Sequence, residues 1–147
     1  GGLEQRKIHM IGREMSKTLG HNFVALHTPL ITSLKGPGQK MSKSVPGSGI
    51  SVTDSLEEIK KKLKEAYCPD KDSKDNPLLQ ISRLILFPRF NELEIKRDKK
   101  FGGDLKLENY PELEKIYVAG KLHPLNLKNM TIEYLWKIIE PIRKGWK

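Results

Sequence analysis

From Lys35 to Gly49 the chain carries glycine, proline, serine and lysine with no apolar period, so neither a helix nor a strand can run through this stretch. It divides the sequence into two parts that must each be read from their own pattern. Ahead of it, Ile8, Ile11, Met15 and Leu19 fall at i, i+3, i+7 and i+11, the stripe of an amphipathic helix over 4–19 that Gly20 is placed to end. The apolar run from Asn22 to His27 then predicts a short buried strand closed by Thr28-Pro29. Helix, short apolar strand and loop in that order are the end of an α/β parallel sheet. Two elements cannot form a sheet alone. The earlier strands are therefore expected before Gly1, and an opening without methionine, signal-type stretch or basic transit segment fits a piece of a longer protein.

Beyond the loop the pattern turns helical. Ser55 and Glu58 have capping-box spacing, with Leu56, Ile59, Leu63 and Tyr67 on the inner side and Lys60, Lys61, Lys62 and Lys64 clustered along the same helix. A polar linker over 69–76 follows. Asn76 as cap and Pro77 at the first helical position then introduce Leu78–Phe87, a helix apolar enough to be central to a helical domain. Leu93–Arg97 and Asp104–Leu107 predict a small hairpin-like excursion around Phe101-Gly102-Gly103. Asn109-Tyr110-Pro111 opens a helix ending near Gly120, and Leu127, Met130, Tyr134, Leu135, Ile138 and Ile142 mark a terminal amphipathic helix.

The 147 residues carry a formal charge of +9, unevenly spread: +2 over residues 1–58 and +7 over 59–147. A surplus of that kind favours a polyanionic partner, and for a basic helical domain nucleic acid is the commonest. No apolar run is long enough to cross a membrane as a helix. One cysteine, Cys68, excludes an internal disulfide framework, and the default compartment is the reducing cytoplasm. His9, His21, His27 and His123 show no ligand spacing, so no protein-bound metal is expected.

Lys40-Met41-Ser42-Lys43-Ser44 sits within the loop, flanked by Gly36, Gly38, Gly47 and Gly49. Two lysines three apart with interleaved hydroxyls form a cationic clamp: the ammonium groups meet phosphate charge, and hydroxyls and loop amides donate hydrogen bonds. Flanking glycines let such a clamp close and reopen.

KMSKS is the signature loop of class I aminoacyl-tRNA synthetases, and the resemblance runs on. Gly1-Gly2-Leu3-Glu4-Gln5-Arg6-Lys7-Ile8-His9 resembles a segment of the archaeal and eukaryotic tyrosyl-tRNA synthetases. Ile50–Ser55, Glu57-Glu58-Ile59, Ala66-Tyr67-Cys68-Pro69, Phe101–Leu105, Leu122-His123-Pro124 and Glu140–Lys144 are similar to that family in its order and at about its spacing.

The resemblance implies an α/β plus all-α chain. Residues 1–53 would be the C-terminal end of a class I, Rossmann-type catalytic domain, and 54–147 a mostly helical anticodon-binding domain. It also implies a cytoplasmic, homodimeric ligase that activates tyrosine with ATP and Mg²⁺, then charges tRNA(Tyr). Lys40, Met41, Ser42, Lys43 and Ser44 would hold ATP, with Lys40 and Lys43 catalytic; Lys43 departs from the serine often found in this group. Gln5 resembles the glutamine that meets the amino acid's ammonium group. Phe101, His123, Pro124, Asn126, Lys128, Tyr67 and Lys64 fall to the tRNA, Asn126 standing where the family usually has an acidic residue that reads guanine. No His-x-Gly-His occurs, so these residues alone are expected to make no adenylate. Two further readings remain at this point: a tryptophanyl-tRNA synthetase, or a non-catalytic RNA-binding or signalling piece of a synthetase.

Overall fold

The computed structural model describes residues 2–42 and 44–145, and of Phe101 the backbone alone. The chain forms two compact units, Gly1–Ile31 and Thr32–Lys147. The loop of 35–49 is built into the helical unit, because Leu34 donates its N–H to the Ser48 carbonyl (2.9 Å) and accepts from the Tyr67 N–H (2.8 Å).

In the first unit a short 3₁₀ turn, Leu3–Gln5, leads into α1 (Arg6–Glu14) and, after a break at Met15, α2 (Ser16–Leu19). Gly20 ends it at φ 69° as the sequence required, a left-handed conformation that glycine adopts without a Cβ penalty. The helical stripe is real but faces solvent: Ile8 is 63 % and Ile11 57 % exposed. The strand expected over Asn22–His27 is not formed. A strand is held by ladder hydrogen bonds to its neighbours, and among the described residues a single parallel bridge, Gly2 to Thr28, forms here, while Val24 and Leu26 are exposed. What ties the segment to α1 is polar and aromatic. His9 Nδ1 lies 2.9 Å from His27 Nε2, and the Phe23 ring meets His9 edge-on.

The second unit follows the sequence closely. α3 (Leu56–Glu65) begins with a complete capping box: Ser55 Oγ accepts from the Glu58 N–H and the Glu58 carboxylate accepts from the Ser55 N–H. Such a cap stabilises a helix by about 1 kcal/mol. Ile59 and Leu63 are fully buried. Asn76, itself buried, caps α4 (Pro77–Ile81) by accepting from the Leu78 and Leu79 N–H groups. The helix then widens into a π turn, Ser82–Leu86, where the Phe87 N–H reaches the Ser82 carbonyl. β1 (Leu93–Ile95) and β2 (Leu105–Leu107) pair antiparallel, Leu93 opposite Leu107, a shorter hairpin than the sequence suggested. α5 (Tyr110–Val118) is capped by Asn109, and α6 (Pro124–Gly145) packs most extensively on α3. Its buried side is Leu127, Met130, Thr131, Ile132, Tyr134, Leu135 and Ile139. Ile142, expected inside, is 44 % exposed; past Leu135 the inner stripe follows Ile139 instead.

Two tyrosines lock this unit. Tyr117 is buried, donates its hydroxyl to the Pro69 carbonyl (2.7 Å) and lies 3.2 Å from Cys68 Sγ. Burial first, and the hydrogen bond with Cys68 second, push its ionisation far above 10. Tyr110 is pushed up to about 12 by burial and by its hydrogen bond to Glu114. Both groups prefer the protonated form when folded, whereas unfolded tyrosine ionises near 10. Their contribution to stability is whole below pH 10 and is lost as pH rises from there through 12. Urea midpoints are therefore expected to fall between pH 9.5 and 11.5, and Tyr110→Phe should flatten that fall; an unchanged slope would contradict the assignment.

Candidate nucleotide loop and RNA-facing turns

The loop that carries Lys40–Ser44 has no regular structure, yet its base is fastened. Ser48 is buried at 1 % exposure. Its hydroxyl accepts from the Ser42 N–H (3.0 Å) and donates to the Ser42 carbonyl (2.8 Å), while its own carbonyl accepts from Leu34 N–H and Ser33 Oγ. One small side chain thus fixes both backbone polar groups of a residue in the middle of the motif. Gly36 closes the other side: its φ of 104° is left-handed, and a Cβ there would stand 3.2 Å from the Tyr67 ring. Behind the loop Asp54 accepts from the Ser51 N–H and pairs with Lys62 at 2.6 Å, both carboxylate and ammonium largely shielded. Thr32 donates its N–H to Gln80 Oε1 at 2.7 Å, tying the entry of the loop to α4.

On this base the chemistry is turned outward. Lys40 and Ser44 are exposed, and Lys40 enters no ion pair among the described residues. Ser42 Oγ and Ser44 Oγ stand 2.9 Å apart, two hydroxyls held as a pair. Met41 packs its side chain toward Gly49, where a Cβ would come within 3.0 Å of Met41 Cγ. Lys43 lies outside the described residues. An exposed ammonium two residues before a pair of hydroxyls supplies the charge and the donors that an oxyanion such as a phosphate takes. Gln5 closes the 3₁₀ turn of the first unit and is half-buried, its side chain in no hydrogen bond with another described group.

Ser48→Ala is expected to leave the Ser42 N–H without its partner and the Ser42 carbonyl with the Val45 N–H alone, a loss of about 1–3 kcal/mol of local order. The measurement is amide exchange over residues 33–48, which should speed up while α3 and α6 keep their protection; exchange unchanged at Ser42 would overturn the role of Ser48.

The expected RNA residues fall into two groups. Arg97, to which sequence reasoning gave no part, brings two turns together: Nε donates to the Gly103 carbonyl (2.9 Å) and Nη1 to that of Lys121 (3.0 Å). This sets the Lys99–Phe101 turn beside the start of α6. There His123 is exposed and its Nδ1 accepts from the Leu125 N–H (3.1 Å), so its proton sits on Nε2, free to face a ligand. Pro124 opens α6 and Asn126 stands half-buried in its first turn. Lys128 Nζ donates to the Lys64 carbonyl at 2.7 Å, which joins those two positions and caps the end of α3. Tyr67 does not join either set: it packs on Gly36 at the base of the loop that carries Lys40–Ser44. No pattern in the sequence marked Arg97 or Ser48, since each acts through a backbone group brought near by folding.

Among the described residues no cluster of three or more His, Cys, Asp or Glu could hold a metal ion, and no helix is long and apolar enough to cross a membrane.

The profile of the tRNA synthetases class I (W and Y) matches residues 1–140. The tyrosine–tRNA ligase of Saccharolobus solfataricus is 44 % identical, the match covering 99 % of this chain and 44 % of that protein. Among solved structures, the tyrosyl-tRNA synthetase complexed with L-tyrosine from Archaeoglobus fulgidus is 44 % identical over 98 % of this chain and 44 % of its own, with a TM-score of 0.87. That from Pyrococcus horikoshii, also complexed with L-tyrosine, is 35 % identical over 99 % of this chain and 46 % of its own, with a TM-score of 0.85. The chain thus spans less than half the length of the relatives it matches.

Proposed function

This chain belongs to the class I tRNA synthetases of the tryptophan and tyrosine family, and we propose that it is the part of a tyrosine–tRNA ligase that grips ATP and holds the tRNA. The observation that carries the tyrosine reading is identity of 44 % along 99 % of the chain with a tyrosine–tRNA ligase. It favours tyrosine over the tryptophan branch of the same family, and a working ligase over a non-catalytic fragment.

In this reading residues 1–53 close the catalytic domain from its C-terminal side and 54–147 form the anticodon-binding domain of a cytoplasmic homodimer. The reaction joins the tyrosine carboxylate to the α-phosphorus of ATP and expels pyrophosphate; the adenylate then passes tyrosine to the tRNA. Mg²⁺ arrives with ATP as part of the substrate. Lys40, Ser42, Lys43 and Ser44 meet the phosphates as negative charge builds on the leaving pyrophosphate, so they lower the barrier only where their bonds strengthen in the transition state. Ser48 keeps that set in place. Gln5 offers its amide oxygen to the tyrosine ammonium, adding no charge. Phe101 and His123 supply planar rings for unpaired anticodon bases, and Asn126 contributes one neutral acceptor where a carboxylate would bind guanine more strongly. Lys64 and Lys128 bring positive charge to the RNA backbone.

ATP–pyrophosphate exchange tests this. The 147 residues alone are expected to give background exchange. Substituted for the matching 44 % of the Saccharolobus solfataricus enzyme, they are expected to support tyrosine-dependent exchange and charging of tRNA(Tyr). A chimaera that folds yet responds to tryptophan, or to neither amino acid, would refute the proposal.

A further inference from the structure

Between α3 and α6 runs a trough that shares only Lys64 with the residues already assigned to nucleotide or RNA. Trp136 stands at its middle and lines a cavity on either side. Toward the N-terminal half of α6 the cavity is about 490 Å³, floored by Leu56 and Ile132 and walled by the stems of Lys60, Lys64 and Lys137. Toward the C-terminal end a second, about 510 Å³, is lined by Val52, Thr53, Glu140, Arg143 and Lys144. The indole N–H makes no hydrogen bond among the described residues. From Asn129 to Lys144 the helix rises about 22 Å at 1.5 Å per residue, the length of about four helical turns.

The charges around this apolar floor are lopsided. On α6, Lys137 is paired with Glu133 at 2.8 Å and Lys144 with Glu140 at 3.0 Å. Lys60 and Lys64 on α3, and Arg143, enter no ion pair among the described residues. The trough therefore presents carbon below and three uncompensated cations above, two of them on the α3 wall.

We propose that this trough docks an acidic amphipathic helix of a protein partner, its apolar face seated against Leu56, Ile132 and Trp136 and its carboxylates along the α3 wall. Helix-in-groove recognition seats the apolar face of a helix, with anchors at i, i+3 or i+4 and i+7, on an apolar floor, here Leu56, Ile132 and Trp136 with Val52 beyond. RNA fits less well: the floor of the first cavity has few polar atoms to meet base edges, and Glu133 and Glu140 would face phosphates.

The test uses the full chain with Trp146→Phe, so that Trp136 alone reports. The probe is a synthetic 16-residue helical peptide with Leu and Phe at those spacings and Glu on one flank; a twin carries Lys instead of Glu. The acidic peptide is expected to change Trp136 fluorescence saturably, and Lys60→Glu with Arg143→Glu, both at exposed positions, should weaken it roughly tenfold without altering the circular dichroism or the urea midpoint. The lysine twin should bind at least tenfold more weakly. Equal binding of both peptides would reduce the trough to non-specific apolar adhesion, and no saturable change would end the proposal. So would displacement of the acidic peptide by a tRNA(Tyr) transcript in a manner that the two Glu substitutions abolish, which would make the trough an RNA surface. Because the readout needs neither ATP nor tyrosine, its failure leaves the ligase reading standing.

Discussion

Lys40→Ala in the chimaeric ligase is expected to slow ATP–pyrophosphate exchange roughly a hundred- to a thousandfold, about 2.7–4 kcal/mol of barrier, the usual cost of losing one group aimed at developing charge. The fold gives the reason for expecting so clean an effect. Lys40 is exposed and joins no ion pair among the described residues, whereas the loop is held by Ser48, Leu34 and Gly36. Removing the ammonium thus deletes a charge without releasing the backbone that carried it, and the thermal midpoint should stay put. The kinetic signature separates positioning from binding: a loss in kcat with a smaller change in the KM for ATP marks an interaction made in the transition state, and a change in KM alone marks uniform binding. Exchange within twofold of the parent would remove Lys40 from the mechanism and with it the reading of Lys40–Ser44 as a phosphate clamp.

The parts of this molecule that the sequence disclosed are those set by local chemistry. Ser55 and Glu58, Asn76 with Pro77, and Asn109 with Pro111 are caps whose partners lie within three residues, so their spacing is visible in one dimension, and all three open helices in the structure. Gly20 belongs to the same class. The failures share a different cause. Asn22–His27 has a strand's composition, but composition names only a preference for a half-buried pleated surface; the ladder has to come from elsewhere, and among the described residues the one bridge nearby joins Gly2 to Thr28, just past the segment. Ser48 and Arg97 act on carbonyls and amides six to 24 residues away, where no periodicity points. Even the motif was half legible: Lys40–Ser44 is plain as a run of letters, while the buried serine that orders it looks like any other loop serine.

The second large effect contrasts Leu63→Ala with Ile8→Ala. Leu63 is fully buried in α3, and truncating a leucine in such a site costs about 2–5 kcal/mol through lost transfer energy and the cavity left behind. The urea midpoint of the 147-residue chain should fall accordingly. Ile8 heads the stripe of α1 that is exposed here, so in the same chain Ile8→Ala should change stability by no more than about 0.5 kcal/mol. In the chimaera the two should converge. The ligase reading requires α1 to be covered by the remainder of a synthetase, and an isoleucine so covered loses about 2 kcal/mol or more on truncation to alanine. An Ile8→Ala substitution that stays silent in the chimaera would mean that the stripe meets solvent there too, and the first unit would then not be the closing segment of a catalytic domain. A penalty that appears only in the chimaera would instead tie the helical stripe, visible in the sequence from Ile8 to Leu19, to a buried role that this stretch of chain cannot fill by itself.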